Sequence, residues 1–472
     1  MVSSRLIIVA VGALFGTTFA APALQRDVMI AAAPTPAPTS PPAAAELDER
    51  QLLGALGSAV SAINSIVTGN ANPTSLASVL SNLTPTTRPT DIAHVQSTVS
   101  SIFSTTPTNI YVNAATMVVN GLKPTNLVTI LNEAGENSVT NVNPAPPYKI
   151  YPKKNSTDAP YSLTEAQLRA AIYIPSTFTY GKKPPTLMVP GTGSFGGANF
   201  AANIRKLLTG VSYADPVWLN VPGALLGDAQ VNAEYVAYFI NYISAISGNA
   251  TDMSVISWSQ GGLITQWAFK YWPSTRNPIA DFLPISPDFH GTVLADALCL
   301  SGTSSTGLDP CDPSVIQQEY TSAFVTALRR NGGDSAYVPT TTMYSGFFDE
   351  IVEPQQGTGA SAYLLDTRNV GVTNNEAQLI CPNQPAGGFY THEGMLYNPV
   401  TFALIVDALT HDGPGQASRL SSSVCQEIAA PGLTLDDVIA TEGVAPMAAI
   451  NLLLYVPKMT NELPLMSYAT AY

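Results

Sequence analysis

The most constraining stretch of the chain is Val255-Ile256-Ser257-Trp258-Ser259-Gln260-Gly261-Gly262. The β-branched and apolar run Met253 to Ile256 predicts a buried strand, and Leu263 to Phe269 predicts a helix. A strand that turns straight into a helix leaves no room for side chains on the inner face of the corner. Small residues must therefore stand beside Ser259. Its hydroxyl would then sit at the head of the helix, where free N–H groups and the positive dipole end favour a developing oxyanion. The layout is that of a nucleophile elbow, with Ser257 where the usual Gly-x-Ser-x-Gly has its first glycine. An ordinary strand–turn–helix corner fits the same residues, so the rest of the chain has to decide.

Composition narrows the choices. Of 472 residues only 11% are charged, against about 25% in typical domains, while 46% are hydrophobic. Such a chain can bury a large core. The net charge of −13 argues against nucleic acid and against anionic membranes as partners. Residues 1–20 predict a secretory signal peptide: Arg5, then the apolar Leu6 to Phe15, then Thr18-Phe19-Ala20 as a small-x-small cleavage site. No other apolar run of transmembrane length is expected. Four cysteines, Cys299, Cys311, Cys381 and Cys425, suggest two disulfides in an exported protein. Three pairings are possible, and Cys299–Cys311 with Cys381–Cys425 is the simplest. Asn82, Asn155 and Asn249 begin glycosylation sequons, or are plain surface residues. No cofactor or metal is expected, because there is no Cys-x-x-Cys and the four histidines are scattered.

Residues 21–50 are Ala/Pro-rich and read as a disordered linker or pro-segment. Residues 51–147 predict a small all-helical region, from blocks such as Leu52 to Val67, Ser75 to Leu83, Ile92 to Phe103, Ile110 to Leu122 and Leu127 to Ala134. It would be a cap or pro-domain, or an interface-binding module. Residues 148–472 alternate strands and helices, which predicts an α/β fold with a mainly parallel sheet. Strands are expected near Ala171–Ile174, Thr186–Val189, Trp218–Val221, Met253–Ile256, Phe282–Ile285, Thr340–Tyr344 and Ala377–Ile380. Helices are expected over Phe200–Leu208, Ala233–Ile246, Ser314–Arg330 and Tyr397–Leu409, with an apolar helical stretch at Leu435–Val456 broken by Gly443 and Pro446.

Functional groups of a parallel sheet gather at the carboxyl ends of its strands. Ser259, Asp349 and His392 fall there, in the order serine, acid, histidine that marks the α/β-hydrolase arrangement. A serine hydroxyl is a poor nucleophile until a histidine base, oriented by a carboxylate, takes its proton. Glu350 and Glu353 compete with Asp349 for the acid, and His411 competes with His392 for the base. An oxyanion hole would use the N–H of Gln260 and donors from Pro190-Gly191-Thr192-Gly193, where Thr192 offers N–H and hydroxyl.

Several stretches then resemble the fungal lipases of the Candida antarctica lipase B type. They are Leu187-Met-Val-Pro-Gly-Thr-Gly193, Asp228-Ala-Gln-Val-Asn-Ala-Glu-Tyr235, Ser257-Trp-Ser-Gln-Gly-Gly-Leu263, Pro287-Asp-Phe-His-Gly-Thr-Val-Leu294, Tyr344-Ser-Gly-Phe-Phe-Asp-Glu-Ile-Val-Glu-Pro354 and His392-Glu-Gly394. That family also places a small hydroxyl residue at the first elbow position, so Ser257 becomes a match. The resemblance implies an α/β-hydrolase with a mainly parallel central sheet flanked by helices. It implies Ser259 as nucleophile, Asp349 as acid and His392 as base, with Thr192 and Gln260 as oxyanion donors. It also implies Trp258 as the floor of an alcohol-side pocket, Asp288 and Gln318 on the acyl side, and a Cys381–Cys425 disulfide. The segment Asp296 to Pro313 falls where the family has a short lid helix, and the N-terminal helical region has no counterpart there. The expected protein is a secreted, monomeric triacylglycerol lipase meeting its substrate at a lipid–water interface. A carboxylesterase or acyltransferase on smaller esters, or an inactive lipid-binding hydrolase fold, are the rivals.

Overall fold

A computed structural model describes residues 88–470, except 106–109, 124–129, 131–132 and 300–309. The expected signal segment, the linker, the first two helical blocks and the sequon at Asn82 lie outside the described residues.

Seven strands form one sheet: β1 (Ile172–Tyr173), β2 (Pro185–Val189), β3 (Asp215–Leu219), β4 (Met253–Trp258), β5 (Ile279–Ile285), β6 (Thr340–Tyr344) and β7 (Val372–Glu376). Their spatial order is β1-β3-β2-β4-β5-β6-β7, and only the β1–β3 pair is antiparallel. The order reverses between β2 and β4. Crevices form at such switch points, outside the carboxyl ends of the strands.

The period-2 alternation of each strand feeds two separate cores. Leu187, Val189, Val255 and Phe282 join one cluster, which is covered by α6 (Ala229–Ile246) and α7 (Gln260–Tyr271). Met188, Ile256, Leu283 and Ile285 join the other. Helices covering that second face include α4 (Gly196–Phe200), α5 (Ile204–Leu208) and α11 (Pro399–Thr410). With both faces covered, β2, β4 and β6 are buried throughout.

Two described helices of the N-terminal region send residues into the second cluster. Helix α1 (Ile92–Thr105) sends Val95, Val99 and Ile102, a helical stripe, into the second cluster. Met117, from α2 (Ile110–Val119), joins it as well.

Sequence expectations differ from the structure in four places. Ala377–Ile380, expected as a strand, is the short helix α10; the strand is the polar run β7 just before it. Alternation of apolar residues missed β7 because its inward groups are amides with assigned partners. Asn375 donates to Thr342 O at 3.0 Å and Asn374 to Leu364 O at 3.0 Å. Ser314–Arg330 is two helices, α8 (Pro313–Gln317) and α9 (Ala323–Arg329), because Ser322 caps the second by accepting from Val325 N–H. Phe200–Leu208 likewise splits where Asn203 caps α5. The strand expected at Trp218–Val221 is shifted to β3, and Asn220 N–H donates to Ala171 O at the end of the β1–β3 pairing. The Leu435–Val456 stretch is α12 (Leu435–Glu442) and α13 (Val444–Leu454), broken at Gly443. Residues Leu435–Leu454 are long and apolar enough to cross a membrane by composition, yet most of that window is buried inside the protein. Cysteines pair as Cys299–Cys311 and Cys381–Cys425.

Candidate active site

Ser259 sits between β4 and α7 with φ 55° and ψ −132°, a left-handed conformation that side chains rarely adopt. Close packing explains the small residues around it. A Cβ on Gly261 would lie 2.5 Å from the carbonyl oxygens of Val189 and Pro190. A Cβ on Gly191 would lie 2.5 Å from the Trp258 ring and 2.8 Å from Ser259 Cβ. These contacts press the elbow against the end of β2 and bring the Pro190–Gly193 loop beside the serine. Ser259 occupies the N-cap position of α7, but its side chain makes no capping bond, so the hydroxyl is not spent on the helix.

The loop after β6 brings Asp349 to the loop carrying His392. His392 Nδ1 lies 2.9 Å from Asp349 Oδ2 and 3.1 Å from Oδ1. Since a carboxylate only accepts, Nδ1 carries the proton and donates it. Asp349 is held in turn by the N–H groups of Ile351 at 3.1 Å and Val352 at 2.8 Å. Glu350, the rival acid, takes a different place: it accepts the backbone N–H of His392 at 3.0 Å. Burial would hold the His392 pKa down, but the charge and hydrogen bond of Asp349, then Glu350 and Asp288, raise it above the ordinary value. His392 Nε2 is buried and makes no hydrogen bond, including none to Ser259, which is itself only 4% exposed.

Trp258 lies under the histidine. The two rings are 5.0 Å apart, and the indole N–H donates to His392 O at 3.1 Å. Ser286 Oγ donates to the same carbonyl at 3.2 Å. The histidine is thus fixed through its ring, its N–H and its C=O.

On the other side of the serine runs a chain of side-chain amides. Asn232 donates to Gln260 Oε1 at 3.1 Å, and Gln260 Nε2 donates to Thr192 Oγ1 at 3.0 Å. Thr192 Oγ1 then donates to Gln318 Oε1 at 2.9 Å, and Gln318 Nε2 donates to Ser314 O at 2.9 Å. Thr192, Gln260 and Gln318 are therefore brought together, with Gln318 tied to the Gly191–Gly193 loop instead of standing alone as a wall. Asn232 lies just outside the helix expected at Ala233–Ile246, although α6 begins at Ala229. Its only signal was membership of the Asp228–Tyr235 stretch. Asp288 is fully buried, neither carboxyl oxygen has a partner, and burial pushes its pKa up to about 7.

The competing histidines occupy other settings. His94 lies on α1, where its N–H meets Asp91 Oδ1 at 2.8 Å. His290 faces Asp334 at 3.7 Å, and burial beside Arg329 lowers its pKa to about 4. His411 ends α11, half-exposed, with Nδ1 on Asp407 O at 2.9 Å. No group of three or more His, Cys, Asp or Glu side chains among the described residues could hold a metal ion.

No family model matches the chain. Lipase B of Pseudozyma antarctica is 34% identical over 327 residues, which is 67% of this chain and 88% of that protein. The crystal structure of Aspergillus fumigatus lipase B matches with a TM-score of 0.78 at 45% identity, covering 89% of this chain and 99% of that one. Identity over nearly the whole of both relatives establishes that the chain belongs to the fungal lipase B family of α/β-hydrolases.

Proposed function

We propose that the protein is a secreted serine ester hydrolase, a triacylglycerol lipase, working through an acyl-enzyme on Ser259. The observation that carries this reading is the His392 ring. Its Nδ1 is engaged by Asp349, and its Nε2 is left free in a buried site beside the Trp258–Ser259 elbow. A base needs that division of labour: one nitrogen oriented, the other available.

In the proposed mechanism Ser259 Oγ attacks the ester carbonyl while His392 Nε2 takes the serine proton. Asp349 stabilises the imidazolium that results. The N–H of Thr192, which makes no hydrogen bond to another described residue, and the N–H of Gln260 at the head of α7 receive the oxyanion. The Thr192 hydroxyl can turn from Gln318 to add a third donor. His392 then protonates the leaving alkoxide, and water releases the acyl group by the same steps in reverse. The Ser259–His392 hydrogen bond forms as substrate closes the site, as is common for catalytic contacts that are long in the free protein. Trp258 would floor the alcohol side, and Asp288 and Gln318 would line the acyl side. Helix α13, apolar and packed against Gly193, supports an approach suited to acyl chains. The two disulfides support an oxidising compartment. Asn155 and Asn249, both exposed, are available for glycosylation.

Labelling with a serine-directed phosphonate tests the site. The parent should be labelled and Ser259→Ala should not. Rates on emulsified triacylglycerol against short soluble esters test the substrate. A strong preference for the soluble esters would replace lipase with carboxylesterase or acyltransferase.

A further inference from the structure

A hydroxyl has one hydrogen and two lone pairs, so Thr192 Oγ1 can serve an oxyanion only if its hydrogen is not committed behind the site. The surrounding amides decide that direction. Asn232, buried in the first turn of α6, presents Nδ2 to the backbone carbonyl of Leu225 at 2.8 Å. A carbonyl only accepts, so the atom beside it is the amide nitrogen. The same nitrogen meets the Gln260 amide at 3.1 Å, and the atom it meets must then be Oε1. That turns Gln260 Nε2 toward Thr192 Oγ1, 3.0 Å away. Thr192 Oγ1 therefore accepts from Gln260, and its own hydrogen must point elsewhere.

The far end of the chain agrees. Gln318 Nε2 is fixed by the backbone carbonyl of Ser314 at 2.9 Å, which turns Oε1 toward the Thr192 hydroxyl, also 2.9 Å away. Two backbone carbonyls, those of Leu225 and Ser314, set the same direction from opposite ends. The four side chains between them are amides and a hydroxyl, so the direction does not depend on a titrating group.

The turn that supplies the Leu225 carbonyl is itself strained. Ala224 and Leu225 are both left-handed, with φ 53° and 64°, a conformation that non-glycine residues adopt at a cost. Ala224 N–H on Val221 O and Leu226 N–H on Gly223 O, each at 3.0 Å, close the turn. Its two successive carbonyls both serve the oxyanion side. Ala224 O accepts the N–H of Gly193 at 2.9 Å, and Leu225 O accepts from Asn232. One turn thus holds the backbone of the loop bearing Thr192 and the amide that orients the Thr192 hydroxyl.

We propose that Asn232 is a positioning residue: acting through the Gln260 side chain, it keeps the Thr192 hydroxyl a donor that can swing from Gln318 to the oxyanion. This rests on the ester hydrolase reading above. A charged oxyanion outcompetes the neutral Gln318 Oε1 for that hydrogen. The ester carbonyl of the ground state does so far less, so the effect belongs to turnover and not to substrate binding. Without the Asn232 amide, the Gln260 amide can turn over, present Oε1 to Thr192 and draw the hydrogen inward.

The test is a double-mutant cycle between Asn232 and Thr192, read as kcat and KM on a short soluble ester, with the rate of Ser259 phosphonylation followed in parallel. Asn232→Asp keeps the shape and removes the donor. It should lower kcat about ten-fold with KM within about two-fold of the parent. In a Thr192→Val background there is no hydroxyl to aim, and the same substitution should change kcat by less than about two-fold. Asn232→Ala carries the same cycle where the aspartate variant does not fold. Loss of a merely structural amide would multiply with Thr192→Val, so a ten-fold cost that persists in that background overturns the proposal. A loss confined to KM overturns it too, as do Asn232 variants that turn over like the parent. A parent that neither cleaves esters nor takes up phosphonate sinks the hydrolase reading, and the positioning role with it.

Discussion

His392 and His411 each present Nδ1 to an aspartate, 2.9 Å away in the first pair and 3.4 Å in the second. The surroundings separate them. Asp407 also takes three contacts from Arg419, at 2.6, 2.9 and 3.0 Å, so its charge is already balanced by a guanidinium. His411 is half-exposed and ends a helix, where an imidazolium suits the dipole. Among the described residues Asp349 pairs with no arginine. It is buried, held by two backbone N–H groups, and paired with the histidine ring. A histidine–aspartate pair becomes suited to proton transfer when the carboxylate is reserved for the ring and the second nitrogen faces a buried reaction space. Spacing in the chain tells nothing of either condition.

The largest effect should come from removing the nucleophile or its base. Ser259→Ala and His392→Ala should each lower kcat/KM by about 10⁴-fold or more, while His411→Ala should leave it within about two-fold. A His392→Ala protein that keeps its ester-cleaving rate would reverse the comparison between the pairs. Next come the acids. Asp349→Asn should cost about 10⁴-fold in kcat through loss of the oriented tautomer, whereas Asp407→Asn should change Tm and not kcat. Smaller again is the oxyanion side. Thr192→Val keeps the N–H but breaks the links to Gln260 and Gln318, and should lower kcat by about 10- to 100-fold.

The smallest effect is the most diagnostic of the two environments, and it is read as Tm against pH. Glu350, raised to about 8 by burial and then by Asp349, and Glu442, at about 7, hold protons in the folded chain that they would release near about 4.5 when unfolded. The folded state is the better proton binder there. Their contribution is complete below about pH 4.5 and is lost as pH rises through 7 and 8. Asp407 works in the opposite sense. The hydrogen bonds from Arg419 outweigh its burial and hold its pKa low. Its contribution is present above about pH 3.9 and is lost as pH falls. Tm should therefore peak in mild acid and decline toward alkali. The decline should be shallower in Glu350→Gln, and Arg419→Ala should affect only the acid side.

Much of the fold could be read from apolar periodicity. The strands β2, β4 and β5 and the helices α6 and α7 are largely buried, and burial writes itself into sequence through Val, Ile, Leu and Phe. The reading failed at β7, where the strand is polar and its amides are satisfied by neighbours. It failed again within Ser314–Arg330, where a serine cap breaks an otherwise helical pattern. At the candidate site, Ser259, Gln260, Thr192, Asp349 and His392 could be named because motif and strand-end position single them out. Asn232 could not, since a lone amide has no local signature and its partner Gln260 lies 28 residues along the chain.

The sequence by itself determined the alternation of buried strands and helices, the tight corner that only glycines allow behind Ser259, and the short menu of acids and histidines. Those are local matters of side-chain size, period and backbone freedom. Tertiary structure decided which acid meets which histidine. It sent Asp349 to the ring and Glu350 to the backbone of His392, and it set Glu442 against the Tyr397 hydroxyl across 45 residues of chain. Adjacent carboxyls acquire opposite duties because a loop in three dimensions turns successive side chains toward different neighbours. Their protonation then follows from the burial and charge found there.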